Sequence, residues 1–218
     1  MLRHELISTL AIKISQLKIN HPIRVGISGI TASGKTTLAN ELAKELQHKN
    51  KSVIRTSIDN FHHPKIIRYR QGKESAIGYY EDAHDYDSFK EKLLIPLGPE
   101  GDLQYQTVSL DLEKDESVHP ELQIASKDMI LIVDGTFLFK KNLIDLYDFK
   151  IFVKTDFEIA KKRGAKREER AFGSYEKAED MFTYRYHAAS KLYLEQDAPE
   201  LHADVVVLNN NLKNPEFG

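Results

Sequence analysis

"GISGITASGKTT", residues 26–37, sets two glycines, Gly29 and Gly34, five positions apart, with Lys35 and Thr36 directly after the second. An apolar run, "IRVGIS" (23–28), precedes it, and Leu38, Leu42 and Leu46 follow at helical spacing towards Lys49. A strand that breaks over glycines and enters a helix leaves a curl of backbone at a helix N-terminus. There the N–H groups point inward and the helix end carries partial positive charge, which makes a nest for phosphate oxygens. A lysine at this place reaches the outer phosphates of a nucleotide, and the hydroxyl after it can ligate Mg²⁺. Gly29, Ala32, Ser33, Gly34, Lys35, Thr36 and Thr37 are therefore expected to form a phosphate-binding loop for ATP and Mg²⁺.

Outward from this loop the chain alternates. "SVIRTSI" (52–58), "DMILIVDG" (128–135), "FKIFVKT" (149–155) and "ADVVVLN" (203–209) read as further strands. "DMILIVDG" is the most apolar, with charge at its ends, as a central parallel strand requires. Helical stretches fall between strands, notably 156–167 and about 175–195. The pattern predicts an α/β fold with a five-stranded parallel sheet covered by helices on both faces, in one domain spanning 1–218. The stretch 98–125, with Gly98, Pro99, Gly101 and the alternating "LQYQTVSLDL", reads as a small inserted hairpin. The aromatic stripe Phe182, Tyr186 and Tyr193 reads as core.

Composition narrows the class. The chain has 218 residues, 41% hydrophobic and 29% charged, and a formal net charge of −2, which argues against a general nucleic-acid binder. It contains no cysteine, which removes thiolate nucleophiles, thiolate metal ligands and disulfides. No apolar run reaches the length of a membrane span. Leu2, Leu6, Ile7, Leu10, Ile14 and Leu17 follow helical spacing rather than forming a signal-peptide core, so a cytoplasmic location is expected. Association into a homo-oligomer is left open.

The reaction is narrowed by "TSIDNFHHP" (56–64). Asp59 ends the second strand, at the sheet edge where α/β folds bind ligands. A carboxylate there can accept a proton from an attacking hydroxyl, help hold the metal, or merely cap a turn. His62 and His63 follow; a histidine pair in a loop is ordinarily packed or solvated, and the sequence places no third metal ligand. An Asn-Lys-x-Asp guanine-reading motif and a Leu-Ser-Gly-Gly transporter signature are both absent.

"GISGITASGKTTLA", "SIDNFHH", "YYEDAHDYDSFKEKLL", "ILIVDGTFLF" and "KRGAKREE" occur in the order found in the uridine kinase and phosphoribulokinase family of P-loop kinases, which the chain resembles from about Arg24 to Asn210. The resemblance implies a P-loop fold and ATP-dependent phosphorylation of an alcohol, foremost the 5′-hydroxyl of uridine or cytidine. It matches Asp59 to the catalytic base and Asp134 to the acid that ends the third strand near Mg²⁺. Glu81, with Asp82 as rival, matches the ribose-binding acid, and Tyr105 matches a tyrosine near the base. The histidine that contacts the pyrimidine in uridine kinases is Leu110 here, a departure that bears on specificity.

"AKKRGAKREER" (160–170) follows the fourth strand, within a segment (about 156–172) read as a basic lid. Arg163 and Arg167 are four apart, so one helical face can present both to a transferring phosphoryl group; Arg170 is placed on the acceptor side. The alternatives are a kinase of another small alcohol, such as pantothenate or a sugar, and a regulator that binds ATP and transfers nothing.

Overall fold

The protein, described over residues 1–218 by a computed structural model, is built on a six-stranded sheet. Its strands are β1 (Ile23–Gly29), β2 (Val53–Ser57), β3 (Ile130–Asp134), β4 (Phe149–Lys154), β5 (Val205–Leu208) and β6 (Glu216–Phe217). They lie in the order β6–β5–β4–β1–β3–β2; the first five in sequence are parallel and β6 runs antiparallel to β5. The five parallel strands are those expected from the sequence. The sixth is two residues long, too short for any periodicity, and covers an otherwise bare edge.

The helices longer than one turn are α1 (Arg3–Ser15), α2 (Lys35–His48), α3 (Ala76–Asp82), α4 (Phe157–Phe172), α5 (Tyr175–Met181) and α6 (His187–Asp197). A π-helical turn, Phe182–Tyr186, joins α5 to α6 inside what the sequence presents as one long helix. None is long and apolar enough to cross a membrane.

The two faces of the sheet carry separate cores. Successive strand side chains point to opposite faces, so every residue of β3 is buried, but in two directions. Ile130 and Ile132 pack with Leu6, Leu10, Leu38 and Leu42 of α1 and α2. Leu131 and Val133 pack with Phe61, Phe89, Phe137 and Tyr193. This two-sided burial is why β3 is so uniformly apolar.

Between α3 and β3 the chain makes an excursion of two short antiparallel ladders, Gln104–Tyr105 with Gln123–Ile124 and Leu110–Asp111 with Glu116–Ser117. Strand order reverses around β1, whose neighbours are β3 and β4. The carboxyl ends of β1, β2 and β3 therefore open onto one crevice, the place where such sheets bind ligands.

Candidate active site

The loop after β1 takes the curled shape its glycines permit. Gly34 caps α2 at φ +98°, and a Cβ on it would stand 2.5 Å from Asn209 Nδ2. Gly29 lies at φ +155°, where a Cβ would collide with the Val153 carbonyl oxygen. Ala32, between them, is held at φ +65°, a conformation that costs a non-glycine residue energy and gathers at functional sites. The loop is buttressed from behind, because Asn209 Nδ2 and Thr155 Oγ1 both donate to the Ser33 carbonyl, at 2.7 and 3.1 Å. No side chain caps the first turn of α2. The buried hydroxyls of Thr31 and Ser33 have no hydrogen-bond partner. A loop with uncapped N–H groups and orphaned hydroxyls fits a phosphate chain.

Lys35 enters this cavity from the start of α2, 7% exposed, and its Nζ donates to the Ile30 carbonyl at 2.8 Å. Burial pushes its pKa down from 10.5 to about 8, against the opposing pull of the Asp134 and Asp59 carboxylates. Thr36 Oγ1 donates to Asp134 Oδ2 at 2.5 Å, which joins the two oxygen donors expected at Mg²⁺. Register places them: Ile27 of β1 pairs with Asp134 at the end of β3, and Ser57 of β2 pairs with it from the other side. Arg55, which no sequence motif singles out, holds the other carboxylate oxygen with Nη2 at 2.5 Å.

Lys35, Thr36 and Asp134 line a cleft of about 670 Å³ together with Asp59, His62, Lys65, Arg68, Tyr69, Tyr79, Leu112, Arg167, Glu168, Arg185 and Tyr186. Asp59 follows β2 and keeps 66% of its side chain open to the cleft. Its own backbone N–H is received by Ser57 Oγ at 3.3 Å, so Ser57 caps the turn and the Asp59 carboxylate is left to face the cavity. Desolvation raises its pKa, but the close approach of the His84 and His62 imidazoles and of the Lys35 ammonium outweighs that and holds it at about 2. His84 Nε2 stands 3.5 Å and His62 Nε2 3.7 Å from Asp59 Oδ1. His62 Nδ1 is anchored 2.6 Å from the Ala83 carbonyl oxygen. Burial, and then the neighbouring His84, push the His62 pKa down to about 3.

Asp59, His62 and His84 bring one ligand atom each within 4.8 Å of one another. The imidazoles, however, are stacked at 4.5 Å with planes only 20° apart. A metal bonds a histidine nitrogen in the plane of its ring, and one ion cannot lie in two nearly parallel planes. The trio is instead suited to fixing an ionised carboxylate. His84, fully buried and 25 residues beyond Asp59, lies within "YYEDAHDYDSFKEKLL" but is not selected as a site residue from the sequence.

Several residues selected from the sequence stand elsewhere. On α3, Tyr79 and the following turn's Ala83 share the face that looks into the cleft. Glu81 is rotated away from it, 200° round the helix from Tyr79, whereas Asp82, only 60° from Tyr79, is taken up by a neighbouring guanidinium instead of lining the cleft. Glu81 is exposed and accepts from Gln71 at 2.9 Å, while Asp82 is buried against Arg70 and Gln71. Tyr105 is 5% exposed and packs in the core, because the alternation of its strand points Gln104 outward and Tyr105 inward. Leu110 is buried as well, and Leu112, two residues on, reaches the cleft.

Arg163 and Arg167 do share a helical face, but one turn apart they reach different places. Arg167 lines the cleft, with Nε on Glu168 at 2.8 Å. Arg163 donates to the Asn209 and Asn210 carbonyls at 3.0 and 2.6 Å, so it clamps the loop that braces the phosphate-binding turn. Arg170 and Thr37 are both exposed, and neither lines the cleft. Lys161 and Lys166 pair with Glu158 and Glu169 on the surface. Of the aromatic stripe, Tyr193 and Phe182 are fully buried, as expected, with Tyr193 bonding Ser28 Oγ, while Tyr186 borders the cleft.

Residues 24–208 match the model of the Phosphoribulokinase / Uridine kinase family. A uridine kinase of Lactobacillus helveticus is 26% identical over 195 residues, 87% of this chain and 88% of that protein. The uridine-cytidine kinase B of Dictyostelium discoideum is 29% identical over 148 residues, 68% of this chain; the match spans 59% of that longer relative. A solved structure described as a possible uridine kinase from Bacillus stearothermophilus superposes with a TM-score of 0.71 at 25% identity, over 93% of this chain and 97% of that one. The phosphate-binding loop, the strand order and this match over most of the length agree: the chain belongs to the phosphoribulokinase and uridine kinase family.

Proposed function

We propose that the protein is an ATP-dependent kinase that phosphorylates a hydroxyl group of a small metabolite. The observation that carries this reading is the placement of Asp59 in the same cleft as Lys35, Thr36 and Asp134, its carboxylate flanked by His84 and His62. The N–H groups at the start of α2 and the Lys35 ammonium hold the phosphate chain of the donor. Thr36 and Asp134 would hold Mg²⁺, and Asp59 lines the same cleft. When bound, Mg²⁺ neutralises charge on the β- and γ-phosphates and fixes their orientation. Asp59 orients the acceptor hydroxyl and takes its proton as the new O–P bond forms and the bond to the ADP oxygen breaks. Arg167 reaches over the cleft to the charge spread over the transferring group. ATP as donor fits a cytoplasmic site of action.

For the acceptor, the names of the relatives support the 5′-hydroxyl of uridine or cytidine. A second reading, a different small alcohol such as pantothenate or a sugar, is favoured by the positions of Glu81, Asp82 and Tyr105 outside the cleft. The test is transfer of radiolabelled γ-phosphate from ATP to a panel of nucleosides, pantothenate and sugars by the wild type and Asp59→Asn. One acceptor should be labelled, and Asp59→Asn should lower its rate about 10²–10⁴-fold with unchanged affinity for an ATP analogue. ATP binding with no acceptor labelled would identify a regulator rather than a kinase.

A further inference from the structure

Arg185 is a buried charge with no acid beside it. Its side chain lines the cleft at 8% exposure, and no carboxylate oxygen lies within the 4.0 Å that defines an ion pair. Its Nε has no hydrogen-bond partner, and Nη1 makes only a 3.5 Å contact with Tyr186 Oη. Three aromatic rings hold the guanidinium: Tyr79 at 4.9 Å, Tyr186 at 5.2 Å and Tyr69 at 5.6 Å. Arginines so packed keep a rigid, weakly hydrated fork that matches an oxyanion. The residue lies in the π-helical turn Phe182–Tyr186, a kind of distortion that recurs at functional sites.

The cleft's acids are engaged elsewhere. Glu168 accepts from Arg167, Asp134 from Arg55 and Thr36, and Asp59 is flanked by His84 and His62. Glu74 and Asp180 share a neighbouring surface groove with Arg185 but stand beyond ion-pairing distance. A second guanidinium, Arg68, lies 5.1 Å over the same Tyr69 ring. It pairs with Asp115 at 3.2 Å, yet its buried Nε is also unpartnered. Uncompensated buried charge of this kind is unfavourable until an anion completes it. The donor's phosphates have partners of their own at the loop, Lys35 and Arg167. The paired arginines meet instead on Tyr69, in the segment that follows Asp59 and His62.

We infer that Arg185, assisted by Arg68, binds an anionic group of the acceptor, so that the phosphorylated alcohol also carries a carboxylate or a phosphate ester. This rests on the kinase reading above and narrows it, since a neutral nucleoside would leave the Arg185 guanidinium without a counter-charge and the Arg68 Nε without an acceptor.

The protein loaded with Mg²⁺ and a non-hydrolysable ATP analogue, which fills the phosphate loop, is titrated calorimetrically with acetate and with inorganic phosphate. Turnover is measured on matched alcohols: glycerol, glycerate and glycerol 3-phosphate; pantothenol and pantothenate; ribose and ribose 5-phosphate; and uridine. Saturable anion binding is expected, at least tenfold weaker in Arg185→Gln and partly restored in Arg185→Lys, which guards against misfolding of the first variant. In turnover, anionic members should exceed their neutral partners by about 10–100-fold in kcat/KM, the scale of a charge-assisted hydrogen bond. Whether the carboxylates or the phosphate esters lead identifies the group. Uridine turned over as well as any anion, with Arg185→Gln unimpaired, overturns the inference and leaves the kinase intact. Weaker binding of the ATP analogue by Arg185→Gln also overturns it, by assigning the residue to the donor. If no alcohol is labelled, anion binding that depends on Arg185 still supports the subsite and the failure falls on the kinase reading.

Discussion

Replacing Lys35 with methionine should stabilise the nucleotide-free protein while abolishing turnover. The Lys35 pKa is displaced from 10.5 to about 8, chiefly by burial. At about 1.36 kcal/mol per unit, the charged side chain costs the folded state about 3 kcal/mol at pH 7. Methionine fills similar volume without the charge but gives up the 2.8 Å bond to the Ile30 carbonyl, worth about 1 kcal/mol. The net gain expected for Lys35→Met is therefore about 2 kcal/mol at pH 7. The sign of the pH dependence follows from proton binding. Between about pH 8 and pH 10.5 the unfolded chain binds the Lys35 proton and the folded one has released it, so wild-type stability rises with pH through this window relative to the variant. By pH 10 the charge penalty has shrunk below about 1 kcal/mol, and the two proteins should be nearly equal. The assay is urea unfolding of both proteins without nucleotide at pH 7 and pH 10, beside kinase turnover. A variant less stable than wild type at pH 7, or a difference that does not change between the two pH values, would refute the account of a buried, strained lysine. On the functional side, loss of this charge from the transferring group should cost about 10²–10³-fold or more in kcat.

Three other expectations follow from the geometry. His84→Phe keeps a ring but removes the imidazole nitrogen 3.5 Å from Asp59, so the NMR-detected titration of that carboxyl should move up from about 2 towards 3.8; an unmoved midpoint means that His84 only packs. Arg163→Ala loses both bonds to the Asn209–Asn210 carbonyls and should lower unfolding free energy by about 1–3 kcal/mol, whereas Arg167→Ala should lower kcat and leave the melting temperature in place; the reverse pattern would exchange their roles. Gly34→Ala should abolish binding of an ATP analogue in a chain that still folds, because its Cβ would press on Asn209 at φ +98°; retained affinity would show that the loop tolerates rearrangement.

How much of this was legible beforehand depends on the range of the interactions. The phosphate loop could be read because its shape is set within eight consecutive residues: glycine conformations, the strand that enters and the helix that leaves. The parallel strands could be read because burial on both faces demands continuous apolar runs, as in Ile130–Asp134. Asp59 was selected for its place at the end of a strand, and register put it in the cleft. Where the choice lay between side chains on one short element, sequence was a poor guide. Tyr79 faces the cleft and Glu81 does not, a matter of helix rotation by 100° per residue, fixed by how α3 packs.

The acceptor side shows the division most clearly. From residue types and spacing alone, this chain declared an α/β fold, a triphosphate site and a candidate base. Which groups surround that base was decided by tertiary contacts. His84 reaches Asp59 because residues 62 and 84 pair as an isolated antiparallel bridge. Arg185 meets Tyr69 and Tyr79 across more than a hundred residues, through a π-helical turn that no hydrophobic period announces. The physical reason is that backbone conformation follows local sterics and hydrogen bonding, while the direction of a side chain on a packed helix is settled only when the core closes beneath it.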